Sequence, residues 1–400
     1  MDVLSRIKSI EGLSLEGRRV FLRVDLDCPM TADGFVADDA RIQAALPSIR
    51  YAIQQGAKVV LASHLGSPRG RRVPELSLAP IGERLAELLD QDVYMPEDCV
   101  GDGPRKVVME RVDGEVVLLE NLRFNPEEEA NDDIFAQRLA SLADVYINDA
   151  FGTVHRACAS VDAITRHIST RGAGYLLVKE LQFMTKIATS NEPSFVLLMG
   201  GAKASDKMGL LNRLIGRVKA VCIGGATATT FLVAQGRPVG RSRFEADKVE
   251  TAAGLLARAK LRGVDILLPT DVVVAAEAKD GAETMVVSVD DIPDDQMILD
   301  IGPATVAEFG ARLAPAKLVF WNGPMGMFEI APFLAGTQAV AKAISRSRAV
   351  SVVGGKDTAA AVSKVMMTPF FSHVSSGGGA ALEFLEGREL PGIEALRKGD

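Results

Sequence analysis

A chain of 400 residues is more than one hydrophobic core usually serves, and at roughly 150 residues per domain it is expected to form two or three folded units, two in the first instance. With 48% apolar and 24% charged residues, it lies far from the compositions of disordered chains. The 45 Lys+Arg against 52 Asp+Glu give a formal net charge of −7 with no basic block able to track a phosphate backbone, so nucleic acid is not an expected partner.

Residues 1–17 alternate charged and apolar side chains without an h-region, and no uncharged apolar run reaches the ~18 residues of a membrane span. A cytoplasmic protein with no membrane partner is expected. From residue 19 onward, short Val/Ile/Leu runs alternate with amphipathic, Ala-rich stretches, the βα rhythm of a parallel sheet. Strands are expected at 19–24, 58–62, 115–119 and 144–147. Helices are expected at 38–55, 77–89 and 133–143, with Asp38 or Asp39 and Ser77 as N-caps. Residues 173–189 read as one helix with Lys179 and Glu180 on its solvent side, and the breaker run 190–193 ends this inter-domain connector. Beyond it, strands at 194–199, 220–223, 265–268, 297–301, 317–321 and 349–353 are expected to form one six-stranded parallel sheet.

Cys28, Cys99, Cys158 and Cys222 are too far apart for a CxxC clamp and read as reduced thiols. Open parallel sheets bind ligands beyond the carboxyl ends of their strands, so the chemistry is sought in those turns. Three of them are Gly-rich: Gly200-Gly201-Ala202-Lys203, Gly224-Gly225-Ala226 and Gly354-Gly355-Lys356-Asp357-Thr358. Bare backbone N–H groups and helix dipoles at such turns form a polyphosphate cradle, although neither GxxxxGK[ST] nor GxGxxG is present. Lys203 and Lys207 lie four apart at the start of a helix, where cations call for a compensating anion such as phosphate. Asp357 suits Mg²⁺ beside phosphates, or serves simply as an N-terminal cap. In the first half, Arg23, Arg41, His64, Arg69, Arg123 and Arg156 gather at strand ends and turns, where arginine suits bidentate binding of carboxylate or phosphate.

Together these segments resemble the phosphoglycerate kinase family in collinear order over essentially the whole chain. The resemblance is carried by Arg23-Val24-Asp25, Ser63-His64-Leu65-Gly66, residues 119–124, 148–156 and 200–207, Leu268-Pro269-Thr270-Asp271-Val272, Asp300-Ile301-Gly302-Pro303, Trp321-Asn322-Gly323-Pro324-Met325-Gly326 and residues 376–380. It implies an α/β fold of two Rossmann-like domains with parallel sheets. These would be an acceptor domain (1–172), a hinge helix (173–190), a nucleotide domain (191–385) and a tail (386–400) returning to the first domain. The implied reaction is reversible, Mg²⁺-dependent phosphoryl transfer between ATP and the carboxylate of 3-phosphoglycerate, giving 1,3-bisphosphoglycerate and ADP, by a monomer.

Carried over by position, the resemblance assigns Arg41 and Lys207 to catalysis, and Asp25, Asp27, His64, Ser67, Arg123 and Arg156 to the acceptor. The nucleotide falls to Gly201, Ala202, Lys203, Lys207, Gly225, Asn322, Pro324, Met327, Glu329, Gly354, Gly355, Lys356, Asp357 and Thr358, with Asp357 as metal ligand. Such a transfer runs on positioning and charge neutralisation and needs no general base, because the attacking carboxylate is already ionised. It also implies closure that brings Arg41 and Lys207 together, with part of the hinge at residues 172–180.

Some positions depart from the family pattern. Asp27 stands for Asn, Ser67 for Arg, Cys158 for His, Lys356 for Gly, Ala226 for Gly and Ala304 for Lys. The first two move the acceptor pocket about two charges toward negative, against charge-assisted contacts worth ~1.5–3 kcal/mol each. The departures keep two alternatives open: a relative that phosphorylates a less anionic carboxylic acid, and a non-catalytic nucleotide-binding protein.

Overall fold

Runs such as Val20-Phe21-Leu22 and Val59-Val60-Leu61 are apolar at every position, as strands covered by helices on both faces must be. The computed structural model, which describes residues 3–397, buries all six. The chain divides into two units, one made of residues 3–182 and 389–397 and the other of residues 183–388.

In the first unit, β1 (Arg19–Arg23), β2 (Lys58–Ala62), β3 (Val93–Tyr94), β4 (Val116–Leu118), β5 (Val145–Asn148) and β6 (Arg171–Ala173) form one sheet in the order β3-β4-β2-β1-β5-β6. All its pairings are parallel. β3 and β6 are too short to leave an apolar run in the sequence, and reading periodicity passes over them. The helices at Ala40–Gln54, Ala79–Leu89 and Asp133–Ala140 fill the expected segments. The first two start late, because Asp38 and Ser77 act from two residues before the first turn. Ala40 N donates to Asp38 Oδ1 at 2.9 Å, and Ala79 N donates to Ser77 Oγ at 3.2 Å. Val20, Leu22, Ile42, Ile49, Leu61, Leu85 and Ile147 belong to one buried cluster. The helix Pro391–Arg397 completes this unit, burying Gly392, Ile393, Ala395 and Leu396, and Gly392 N donates to Val154 O at 2.9 Å.

The second unit holds β7 (Phe195–Met199), β8 (Ala220–Ile223), β9 (Asp265–Leu267), β10 (Asp271–Ala275), β11 (Met285–Ser288), β12 (Met297–Ile301), β13 (Leu318–Asn322), β14 (Val350–Gly354) and β15 (His373–Val374). Its parallel sheet runs β15-β14-β13-β7-β8-β9, and β11-β10-β12 form a separate three-stranded sheet. This corrects one expectation: residues 297–301 do not join the parallel sheet but pair antiparallel with β10, and the two-residue β15 is the sixth parallel strand. An apolar run announces a strand but not its partner.

The boundary between the units falls inside the helix Tyr175–Thr189. Lys179 on this helix is exposed, but Glu180 is fully buried, contrary to the expectation for both. Glu180 lies three residues after Leu177 and four before Met184, on the stripe that also buries Leu181 and Ile187, so helical spacing carries it inward.

Two outcomes follow from this packing. A Cβ on Gly392 would stand 2.7 Å from Val161 Cγ1 and 3.0 Å from Val154 Cα, so Gly392→Val should destabilise the protein by about 1–3 kcal/mol, read as a lower urea midpoint. Asp300, at the end of β12, accepts from Ile301 N at 2.9 Å and from Gly336 N at 2.7 Å, yet burial raises its carboxyl to about 7. A folded-state pKa above the unfolded one stabilises fully below the ordinary value of 3.8 and loses that contribution as pH rises through about 7. Asp300→Asn, which cannot ionise but loses one acceptor, should be less stable at low pH. Its midpoint should also fall less than the parent's between pH 4 and 8.

Candidate active site

The glycine turns of the second unit are forced by backbone meeting backbone. Gly201 N donates to Pro324 O and Gly225 N to Met325 O, each at 2.8 Å. A Cβ on Gly200 would stand 2.1 Å from Pro324 O, and one on Gly323, at φ +99°, would stand 2.2 Å from Gly200 C. Only glycine permits that approach and that φ together. The turns after β7, β13 and β14 thereby border one cavity of about 330 Å³, which the start of the helix Gly379–Glu386 also lines.

Into this cavity come Gly201, Ala202, Lys203, Lys207, Asn322, Gly355, Lys356, Asp357 and Thr358 of the expected residues, joined by Asp206, Gly323, Gly378, Gly379 and Leu382. The helix after β7 begins only at Ser205, so Lys203 sits in the turn before it rather than on it. Glu245, which sequence reading passed over, receives Ser205 N at 2.8 Å and Ser205 Oγ at 2.6 Å. Burial lowers the Lys207 pKa, against the pull of Asp206 and Asp357. Asn322 is buried, and its Nδ2 donates to Gly354 O at 2.9 Å while its Oδ1 has no partner among the described residues. Thr358 Oγ1 accepts from Gly323 N at 2.7 Å, so its own O–H stays available to donate. Lys356 is not among the residues with positive φ, and a side chain there carries no left-handed strain.

The other expected nucleotide residues do not line the cavity. Gly225, Pro324 and Gly354 form its support through the hydrogen bonds above. Met327 and Glu329 are exposed, with Met327 N donating to Leu299 O and Glu329 O accepting from Lys364 Nζ, both at 2.8 Å.

In the first unit, the ends of β1 and β2 assemble a charged cluster. Arg41 pairs with the buried Asp25 at 2.5 Å. Burial works against the Asp25 charge, but the surrounding cations prevail and hold its carboxyl below the usual range. His64 is pushed well below its ordinary value by burial, with Arg23, Arg123 and Arg41 adding to the effect, so it is a neutral imidazole at pH 7. Its Nδ1 lies 3.2 Å from the guanidinium of Arg23, and its Nε2 lies 4.0 Å from Asp27. Asp27 Oδ1 accepts from Gly66 N at 2.8 Å, and Arg123 donates to Gly66 O at 2.7 Å. These two bonds fix the loop that carries Ser67, which is exposed. Arg156 is exposed and near enough to Arg123 to help lower its pKa, behind burial.

Arg23 is fully buried, with no carboxylate in direct contact among the described residues. Its Nε donates to Ser160 Oγ at 2.9 Å, and Ser160 Oγ donates to the buried Glu128 at 2.6 Å. Glu128 gave no signal in the sequence, where it is one of three consecutive glutamates. Two residues of the 119–124 motif are structural: Glu120 receives Leu78 N at 2.8 Å and Ser77 Oγ at 2.7 Å, and Asn121 Nδ2 donates to Leu65 O at 2.8 Å and to Leu76 O at 2.9 Å. The four cysteines are buried and free, and burial raises the Cys158 thiol to about 11, so it is no nucleophile at neutral pH.

Against known proteins, residues 10–388 match the family model described as phosphoglycerate kinase. The phosphoglycerate kinase of Anaeromyxobacter dehalogenans (strain 2CP-1 / ATCC BAA-258) is 55% identical over 396 residues, 98% of this chain and all of that one. That of Chlorobium phaeobacteroides (strain BS1) is 49% identical over 392 residues, 97% of this chain and 99% of that one. Among solved structures, phosphoglycerate kinase from Coxiella burnetii superposes with a TM-score of 0.87 at 39% identity, covering 98% of both chains. The enzyme from Pyrococcus horikoshii OT3 gives 0.85 at 34%, covering 97% of this chain and 98% of that one. With its fold, its glycine-built cavity and its full-length relatives in agreement, the chain belongs to the phosphoglycerate kinase family.

Proposed function

We propose that this protein catalyses the reversible transfer of the terminal phosphoryl group of ATP to the carboxylate of 3-phosphoglycerate, giving 1,3-bisphosphoglycerate and ADP. The observation that carries this reading is the convergence of Lys203, Lys207, Asp357 and Thr358 on one cavity, in a chain matched by the family over residues 10–388. Residues 183–388 would bind the nucleotide. Lys203 and Lys207 neutralise its phosphates, Thr358 donates its O–H to a phosphate oxygen, and Pro324, Met327 and Glu329 serve the adenosine. Burial lowers the Lys207 pKa in spite of Asp206 and Asp357, and a bound phosphate would raise it again by favouring the charged form.

The cavity residues fit Mg²⁺ that arrives with the nucleotide. Asp357 offers one exposed carboxylate, Asn322 Oδ1 is a buried acceptor without a donor, and no group of three or more His, Cys, Asp or Glu among the described residues could form an all-protein cage. A single carboxylate plus substrate phosphates is the usual provision for this ion. When bound, it would neutralise phosphate charge and hold the donor's oxygens for transfer.

The acceptor falls to the first unit. Asp25 and Asp27 would receive its hydroxyl, while neutral His64, Arg123 and Arg156 hold its anionic groups. Arg41 keeps Asp25 ionised and has further N–H groups for the phosphoryl in transfer, since a guanidinium carries five donors. The carboxylate nucleophile needs no base. We place the reaction in the cytoplasm, supported by four free thiols. A monomer suffices, because this chain supplies every group named.

One observation favours a second reading. Ser67, exposed on the Gly66 loop, brings no cation to the acceptor, which would suit a less anionic carboxylic acid.

ATP-dependent turnover of 3-phosphoglycerate in a coupled assay tests the main reading, and its absence, or faster turnover of a less charged acid, would overturn it. Lys207→Ala should lower kcat by about 10²–10³, as loss of one transition-state charge contact does, with unchanged far-UV circular dichroism. Ser67→Arg should lower the KM for 3-phosphoglycerate about ten-fold if a single charge-assisted contact is restored, and an unchanged KM would show that the acceptor phosphate is held elsewhere.

A further inference from the structure

Three ammonium groups line the nucleotide cavity: Lys203, Lys207 and Lys356. The first two belong to the turn and helix after β7. Lys356 comes from the other side, as the first residue of the helix Lys356–Lys364. Its side chain does not fold back along that helix. Its Cγ and Cε lie 3.9 and 4.0 Å from the point where a Cβ on Gly378 would stand, and Gly378 is the N-cap of Gly379–Glu386. The chain of Lys356 therefore spans the starts of two helices, where peptide dipoles disfavour a cation. Among the described residues it has no ion pair to offset this. Its neighbour in sequence, Asp357, is the carboxylate that would serve a divalent ion.

An uncompensated ammonium at this place attracts phosphate and repels a metal cation. We propose that Lys356 supplies part of the phosphate neutralisation otherwise left to the divalent ion, so that the cavity binds a nucleoside di- or triphosphate with weakened dependence on Mg²⁺. This inference rests on the nucleotide reading above and adds to it the origin of the charge. Metal and nucleotide each strengthen the other's binding by one shared coupling factor. An ammonium that takes over part of the metal's role makes that factor smaller.

The test is calorimetric titration of ADP and ATP into the full-length protein and into Lys356→Gln, Lys356→Gly and Lys356→Arg, at fixed ionic strength, once with EDTA and once with excess Mg²⁺. Lys356→Gln keeps most of the stem and removes the charge. It should weaken metal-free ADP binding about ten-fold, the size of one charge-assisted contact, and weaken Mg²⁺-nucleotide binding by clearly less. Lys356→Gly should match it, and Lys356→Arg should keep the parent's affinities. Equal losses in the two conditions, or no loss in EDTA, would overturn the proposal while leaving the nucleotide site intact. If the unmodified protein binds neither nucleotide in either condition, the nucleotide reading falls and this one with it.

Discussion

Everything at the cavity of the second unit depends on two strand-end turns touching through their backbones. Gly200 and Gly323 lie so close that no Cβ fits at either position, and the Gly201 amide is held by the carbonyl of Pro324. Adjacent parallel strands normally sit about 4.8 Å apart, with side chains filling the space above their ends. Removing those side chains lets the turns after β7 and β13 close into a floor of peptide groups. Lys203, Lys207, Asn322 and Thr358 then take fixed places around it. The hydrogen bond from Gly323 N to Thr358 Oγ1 ties the β13 turn to the helix after β14, so the floor and one wall move as one piece.

The charged cluster of the first unit includes the opposite device, a buried Arg23 with no carboxylate in direct contact among the described residues. Arg23 reaches Glu128 only through Ser160, and the intervening hydroxyl weakens the neutralisation. The surplus positive potential keeps Asp25 ionised in spite of its burial, while burial, aided by the same arginines, keeps His64 neutral. On the function proposed above, this arrangement is in place before the acceptor arrives, which is how preorganised electrostatics act.

Much of this was legible in the sequence, for identifiable reasons. Fully apolar runs gave the long strands, and Gly-Gly after a strand gave the turns that border the cavity after β7 and β14, because no other residue type tolerates the approach. What escaped was whatever depends on partners distant in the chain. Residues 297–301 look like any other buried strand, and nothing local tells that β10 is their antiparallel neighbour. Glu128 and Glu245 accept hydrogen bonds from Ser160 and Ser205, 32 and 40 residues away, and each sits in an ordinary charged stretch. Glu180 was misplaced because a charged residue was presumed to face water, although its spacing from Leu177 and Met184 already put it inside.

The placement of Pro391–Arg397 in the first unit has a consequence for biosynthesis. A ribosome completes residues 183–388 before it delivers the segment whose Gly392 amide meets Val154. Domains emerging during translation generally settle in order from the amino end. Here the order is reversed for one segment: every residue of the later unit is synthesised before the helix that buries Ile393, Ala395 and Leu396 is available to the earlier one.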